Sequence, residues 1–210
     1  MVIQAMILAG GQSRRMGRDK ALLPWNGKPM LHRVCEVATA VTGNRPIVFS
    51  PWPDRYRIRP ETASLSVDWW VESAPGQGPL LALAELLDRT AQDLPHVNWL
   101  WLLACDLPCL DVAVCRSWFE RRSALNPSQL ALVPRSDQRW EPLCGFYRPS
   151  IAPTLQTFVA NGGRSFQVWL DALSAEQRAI YLPLSQPEAA TLRNCNSPHD
   201  LSDWAAKVPR

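Results

Sequence analysis

Residues Ala5–Trp25 read "AMILAGGQSRRMGRDKALLPW". From Val2 to Leu8 the chain is apolar nearly throughout, and the run stops at Gly10–Gly11. A short run of this kind suits a strand covered on both faces, as in a parallel sheet between helices. Arg14, Arg15, Arg18 and Lys20 crowd the segment that follows. A buried strand that empties into a glycine turn rich in cations predicts a sheet edge facing an anionic ligand.

Outward from that stretch, short apolar runs alternate with helical patterns. Leu31, Val34, Cys35, Ala38 and Val41 are spaced as one helix face behind Pro29. Pro46–Ser50 and Trp69–Val71 read as strands, and Leu80–Ala91 as a Leu/Ala-rich helix. "WLWLLACD", Trp99–Asp106, is the clearest central strand. A helix over Val112–Arg122, a strand at Gln129–Val133, helices over Ile151–Asn161 and Ser165–Leu173, and a strand at Ile180–Leu182 follow. A last helix is expected from Pro198, capped by Ser197. Such alternation predicts an α/β fold, a Rossmann-like, mainly parallel sheet within a three-layer αβα sandwich. With no linker long enough to divide it, residues 1–210 are expected to form a single domain.

At 210 residues the chain can bury roughly 70% of its unfolded surface. The formal charge is only +3, and the basic residues near Arg14–Lys20 are clustered locally. That favours one anionic ligand over a nucleic-acid-binding face. The six cysteines show no metal-ligand spacing. The start lacks a basic n-region, and no stretch approaches the ~18 apolar residues needed to span a membrane. The expected address is the cytoplasm, with thiols reduced. The ten tryptophans are scattered and read mostly as core and rim packing.

The chemistry gathers in a few places. The first loop has neither the GK[ST] ending of a Walker A motif nor GxGxxG spacing. What it offers is a glycine turn with Ser13, Arg14, Arg15, Gly17, Arg18, Asp19 and Lys20, suited to cradling a polyphosphate. "LLACDLP" delivers Asp106 from a buried strand into a turn, where one carboxylate could hold Mg²⁺ together with phosphate oxygens and water. In "ESAPGQGPLLAL", Gly76 and Gly78 allow close passage of a nucleoside, and Glu72 could accept hydrogen bonds from a base. In "NCNSP", Asn194 or Asn196 could offer an amide oxygen to the metal or to a second substrate, or could simply cap a turn. His32, His96 and His199 have no matched nucleophile and are read as surface or packing residues, so no catalytic triad is expected.

"LAGGQSRRMGRDKALLPWNGKPML" resembles the signature loop of the molybdenum cofactor guanylyltransferases, within the molybdopterin nucleotidyltransferase family. The pattern LAGG-x-S-x-RMG-x-DK is matched at Leu8, Ala9, Gly10, Gly11, Ser13, Arg15, Met16, Gly17, Asp19 and Lys20, with Gly27 and Pro29 in the turn beyond. Later motifs follow in order: Gly78–Pro79–Leu80, Cys105–Asp106 with Pro108, and Asn194, Asn196, Pro198, Asp200 and Leu201. The resemblance implies a nucleotide-diphospho-sugar-transferase-like fold. It also implies transfer of GMP from GTP to the phosphate of molybdenum-bearing molybdopterin, with release of pyrophosphate. Leu8, Ala9, Gly10, Gly11, Ser13, Glu72 and Gly78 would bind the nucleotide. Arg15 and Lys20 would take its phosphates, Asp106 would hold Mg²⁺ and touch the nucleotide, and Asn194 and Asn196 would meet the acceptor. The N-terminal half would be nucleotide-binding and the C-terminal half mainly acceptor-binding. Expected partners are these two substrates, with other cofactor-biosynthesis proteins or recipient molybdoenzymes beyond them, and neither nucleic acid nor membrane.

The chain departs from the family pattern at the base. Trp52 stands where relatives carry the asparagine of an S-x-N segment, Glu72 stands in place of Asp, and Ala82 in place of a glycine. The double glycine of "LAGG" and the GPL turn lean toward guanine. A cytidylyltransferase, another nucleotidyltransferase of the same fold, and a non-catalytic nucleotide or cofactor carrier remain alternatives.

Overall fold

The computed structural model describes residues 2–10 and 19–193. The chain starts with β1 (Val2–Leu8), a hairpin of β2 (Pro24–Trp25) and β3 (Lys28–Pro29), and α1 (Met30–Thr42). Then come β4 (Ile47–Ser50), two single-turn helices α2 (Asp54–Arg57) and α3 (Pro60–Ala63), β5 (Asp68–Val71) and α4 (Pro79–Asp93). The second half holds β6 (Val97–Ala104), α5 (Val112–Arg121), β7 (Ala131–Ser136), β8 (Arg139–Trp140) and β9 (Phe146–Tyr147). It closes with α6 (Ala152–Ala160), α7 (Phe166–Ala175), β10 (Ala179–Pro183) and α8 (Gln186–Thr191).

Among the described residues, the main sheet has eight strands, running β10-β7-β9-β6-β1-β4-β5 with β8 attached to β7. The β5-β4-β1-β6 half is wholly parallel, as the buried apolar runs predict. β9 is the exception: it lies antiparallel between β6 and β7, pairing Leu100 with Tyr147 and Leu132 with Phe146. Gly145 belongs at this junction, because a Cβ there would meet Tyr147 Oη at 2.8 Å.

Side-chain alternation makes the layers. Ile3, Ala5 and Ile7 of β1, with Trp99, Trp101 and Leu103 of β6, pack into one core with Leu31, Val34 and Ala38 of α1 and Cys115 and Trp118 of α5. Met6, Leu100 and Leu102 point the other way, into a second core with α4, α6 and α7. The strands are therefore apolar on both faces, which defines the three-layer αβα sandwich. Trp99, Trp101, Trp118, Trp140 and Trp169 are all fully buried, as the packing reading of the tryptophans expects. Trp101 stacks on Phe146 at 5.5 Å, and Tyr147 on Trp169 at 6.3 Å, so β9 carries an aromatic contact into each core.

Most expected elements appear within a residue or two of their predicted bounds. The strand expected at Gln129–Val133 begins later, because Asn126 Oδ1 accepts from the Ser128 and Gln129 amides and holds those residues in a turn. α8 was not anticipated. Its capping box pairs Ser185 with Glu188, and Trp118 Nε1 donates to the same glutamate at 3.1 Å. The hairpins and single-turn helices were also missed, since two to four residues are too few for periodicity to register. One signal was present: Asn26 and Gly27, with φ of 49° and 80°, form the two-residue connection between β2 and β3. The helix expected from Pro198 lies outside the described residues.

Leu103 is fully buried near the carboxyl end of β6. Leu103→Ala is expected to cost about 2–5 kcal/mol. In urea denaturation this would lower the midpoint with the slope unchanged.

Candidate functional site

The site forms where β1, β4, β5 and β6 end together. Parallel registry sets Leu8 of β1 against Ala104 of β6 and Phe49 of β4. The pairing extends past the strands: the Cys105 amide donates to Leu8 O at 3.1 Å, and the Ala9 amide to Phe49 O at 2.9 Å. On the other side of β4, the Glu72 amide donates to Ser50 O at 3.0 Å. These ladder bonds bring Gly10, Glu72 and Asp106 to one edge from three distant parts of the chain.

Gly10 is required by its neighbours. A Cβ there would lie 2.7 Å from Pro51 Cδ and 2.8 Å from Glu72 Oε2. The backbone thus runs directly against the proline and the carboxylate, as the strand-end glycine reading expects. Burial, with the negative charge of Glu85 added, raises the Glu72 carboxyl above the ordinary glutamate value of 4.5. Glu85 is itself held by the Ser73 amide, at 3.0 Å to Oε1. The turn from Ser73 ends at Gly78, whose φ of 90° favours glycine and lets Pro79 open α4.

The second half of the site is an ion pair. Lys20 Nζ donates to Asp106 Oδ2 at 3.1 Å, with side chains 21% and 17% exposed. A pair so far removed from water forfeits much hydration, so its contribution to stability is small. Its value lies in keeping a cation and a carboxylate together at the sheet edge. The neighbouring Cys105 thiol is raised well above its usual range, first by burial and then by the charges of Asp106 and Asp19, which leaves it an inert packing group. Among the described residues no three His, Cys, Asp or Glu side chains cluster to hold a metal. Asp106 is a lone carboxylate here, the kind of donor that a hard cation such as Mg²⁺ combines with phosphate oxygens and water.

Of the expected site residues, Leu8, Ala9, Gly10, Lys20, Glu72, Gly78 and Asp106 all fall at this edge. Glu72 adjoins Gly10, and Lys20 adjoins Asp106. Gly11, Ser13 and Arg15 lie outside the described residues, as do Asn194 and Asn196. Trp52 lies under the Arg55 guanidinium at 4.5 Å, and its amide donates to Ser50 Oγ at 3.1 Å.

Sequence reading missed the groups around Asp19. Asp19 Oδ1 caps the turn at Lys20–Leu22 by accepting from the Ala21 amide at 3.1 Å. Its Oδ2 accepts from Arg55 Nη1 at 3.1 Å and from Tyr56 Oη at 3.0 Å. Tyr56 is fully buried, stacks on Trp69 at 5.7 Å, and has its hydroxyl pushed far above the usual range by burial and by Asp19. Nothing in the local pattern of "PWPDRY" signals these contacts, which join residues 36 and 37 positions apart.

A glycine-walled strand end, a partly buried carboxylate against it and a cation–carboxylate pair, all at the carboxyl edge of a doubly covered parallel sheet, define the class: an α/β protein with its ligand site at the strand ends. The chain belongs to the MobA-like NTP transferase domain family, whose sequence model matches residues 5–176. Relatives agree along nearly the whole length. The chain is 44% identical over 208 residues to a probable molybdenum cofactor guanylyltransferase of Synechococcus elongatus, covering 98% of each. It is 30% identical to the molybdenum cofactor guanylyltransferase of Pseudomonas syringae pv. syringae, covering 89% of this chain and 87% of that one. Among solved structures, molybdopterin-guanine dinucleotide biosynthesis protein A from Archaeoglobus fulgidus superposes with a TM-score of 0.72 at 21% identity, covering 98% of this chain and all of that one. A 4-diphosphocytidyl-2C-methyl-D-erythritol synthase from Anaerococcus prevotii gives 0.71 at 11% identity, covering 100% of this chain and 96% of that one. At these identities the likeness concerns the fold, which is that of the nucleotide-diphospho-sugar transferases expected from the sequence.

Gly10→Ala tests how tightly the site is built. The added methyl group must displace Pro51 or the Glu72 carboxylate, at an expected cost of about 1–3 kcal/mol. Thermal denaturation would show a lowered midpoint, and the Glu72 carboxyl would titrate away from its parental value by NMR.

Proposed function

We propose that the protein transfers GMP from GTP to the phosphate of molybdenum-bearing molybdopterin, forming the guanine dinucleotide cofactor and pyrophosphate. The observation that carries this reading is the Lys20–Asp106 pair, 3.1 Å apart, which joins the turn at Lys20–Leu22 to the residue just past β6, with Glu72 against Gly10 on the other side. The names of the relatives support the choice of reaction.

In this reading the triphosphate lies across Leu8, Ala9 and Gly10, where the absence of a side chain at Gly10 lets the nucleotide approach backbone. The Gly78 turn gives the nucleoside the same close passage. The carboxylate of Glu72 accepts two parallel donors, and the N1–H and 2-amino group of guanine supply them side by side. Cytosine offers a single amino group at its pairing edge, so Glu72 supports guanine over the cytidylyltransferase reading. Lys20 and Arg15 bind the phosphates, and Gly11 and Ser13 supply further contacts in the same loop. Asp106 would hold Mg²⁺, which when bound neutralises charge on the phosphates. Asn194 and Asn196 would meet the acceptor, as part of a C-terminal half given mainly to acceptor binding within one domain of residues 1–210.

The chemistry asks for position more than for a base. The acceptor phosphate oxygen is already a nucleophile; it attacks the α-phosphorus as the bond to pyrophosphate breaks in line. Lys20 offsets charge gathering on the leaving pyrophosphate. No described side chain has to remove a proton. Among the described residues no helix is long and apolar enough to cross a membrane. We place the protein in the cytoplasm, delivering its product to other cofactor-biosynthesis proteins or recipient molybdoenzymes.

Asp106→Asn is expected to lower Mg²⁺-dependent turnover by about 10²–10³-fold with the thermal midpoint little changed. Turnover at the parental rate would remove Asp106 from the metal site and leave the reading without its main support. Calorimetric titration with GTP, CTP, ATP and UTP tests the base directly. GTP should bind most tightly, and its affinity should fall as pH drops. Only the carboxylate form of Glu72 accepts both donors, and its raised pKa makes the loss begin at a higher pH than an ordinary glutamate would give. Preference for CTP would favour the cytidylyltransferase instead.

A further inference from the structure

Tyr56 and Arg55 sit beside the site without lining its sheet edge, and both converge on Asp19. Tyr56 Oη lies 3.0 Å from Asp19 Oδ2 and 3.1 Å from Ala9 O, so one hydroxyl touches the chain on both sides of residues 11–18. Arg55 Nη1 reaches the same Asp19 oxygen at 3.1 Å while its guanidinium covers Trp52 at 4.5 Å. The Asp19 side chain is 12% exposed, and the next residue is Lys20. We propose that Tyr56 and Arg55 are positioning residues that act through Asp19 to hold Lys20 at the triphosphate end of the site. The proposal rests on the nucleotidyltransferase reading and deepens it.

The physical argument begins with burial. A carboxylate taken out of water needs several donors, and Asp19 has the Ala21 amide, the Tyr56 hydroxyl and the Arg55 guanidinium. Tyr56 cannot easily yield: its ring is packed on Trp69 and its hydroxyl stays protonated throughout the accessible pH range, because burial and the Asp19 charge both oppose ionisation. Asp19 is thereby fixed to α2, and the turn it caps carries Lys20. Lys20 has a long, flexible stem, and a cation on such a stem is useful in phosphoryl chemistry only when its base is anchored. Arg55 adds a second consequence. Its stacking on Trp52 joins that anchor to the end of β4, the side of the site where Glu72 stands.

The discriminating measurement compares triphosphate with monophosphate. Affinities of GTP and GMP, each with Mg²⁺, would be measured by calorimetry for the parental protein and for Tyr56→Phe, which keeps the ring and its stack. Loss of a hydrogen bond to a buried charge predicts a fall of about tenfold or more for GTP, with GMP changed less than twofold. Arg55→Met should show the same selective loss, and Arg55→Lys, which retains the charge opposite Asp19, should recover most of it. Equal losses for GTP and GMP would overturn the proposal by marking a general structural effect, and unchanged GTP affinity would overturn it as well. Thermal midpoints accompany each variant. Should Tyr56→Phe fail to fold, the Arg55 pair decides the question alone. If the parental protein prefers another triphosphate, the guanine reading falls, and the positioning role is judged on that nucleotide and its monophosphate. If it binds no nucleotide, both fall.

Discussion

The parallel pairing of β1 with β6 is the constraint on which the rest depends. Seven matched positions from Val2 to Leu8 fix the register, and a slip of one residue would turn Ile3, Ala5 and Ile7 from one core to the other. With that register set, the Cys105 amide reaches Leu8 O and the two strands release the chain side by side. Gly10 and Asp106 then become neighbours along one edge although 96 positions separate them in the sequence. The site is in this sense a by-product of core packing: the side chains that bury β1 and β6 on both faces also align their ends.

Two kinds of interaction are laid over that frame. On the β4–β5 side the chain is pressed close, with Gly10 against Pro51 and Glu72, and the carboxylate partly shielded from water. Shielding strengthens whatever hydrogen bonds Glu72 makes, and it is also why the group resists ionisation. On the β6 side, Lys20 and Asp106 hold opposite charges in contact with little exposure. Neither arrangement is an economical way to stabilise a fold, since both keep charge away from water. Their common position at the carboxyl edge of a parallel sheet is what the proposed nucleotide-binding role requires of them.

The legibility of the fold was uneven for physical reasons. Strands buried on both faces and helices with a wide apolar stripe register in the sequence, so β1, β6, α1 and α4 were recognisable. β9 was not, because two residues carry no period and its antiparallel insertion is decided by aromatic contacts with Trp101 and Trp169 in two different cores. α8 depends on a local capping box that "LSQPE" spells out, but its place in the fold is set by Glu188 accepting from Trp118 across 70 positions.

The sequence by itself determined the αβα class, the strand-end glycine, and residue types suited to a polyphosphate and a hard cation. These are local properties of burial pattern and side-chain chemistry. Its family motifs also pointed to Lys20, Asp106 and Glu72. Only the tertiary structure decided which of these touch: Lys20 with Asp106, and Glu72 with Gly10. It alone brought Tyr56 between Ala9 and Asp19. The reason is that hydrogen bonds and ion pairs between distant positions depend on strand order and register, and these are settled by the packing of the whole core, not by any one segment.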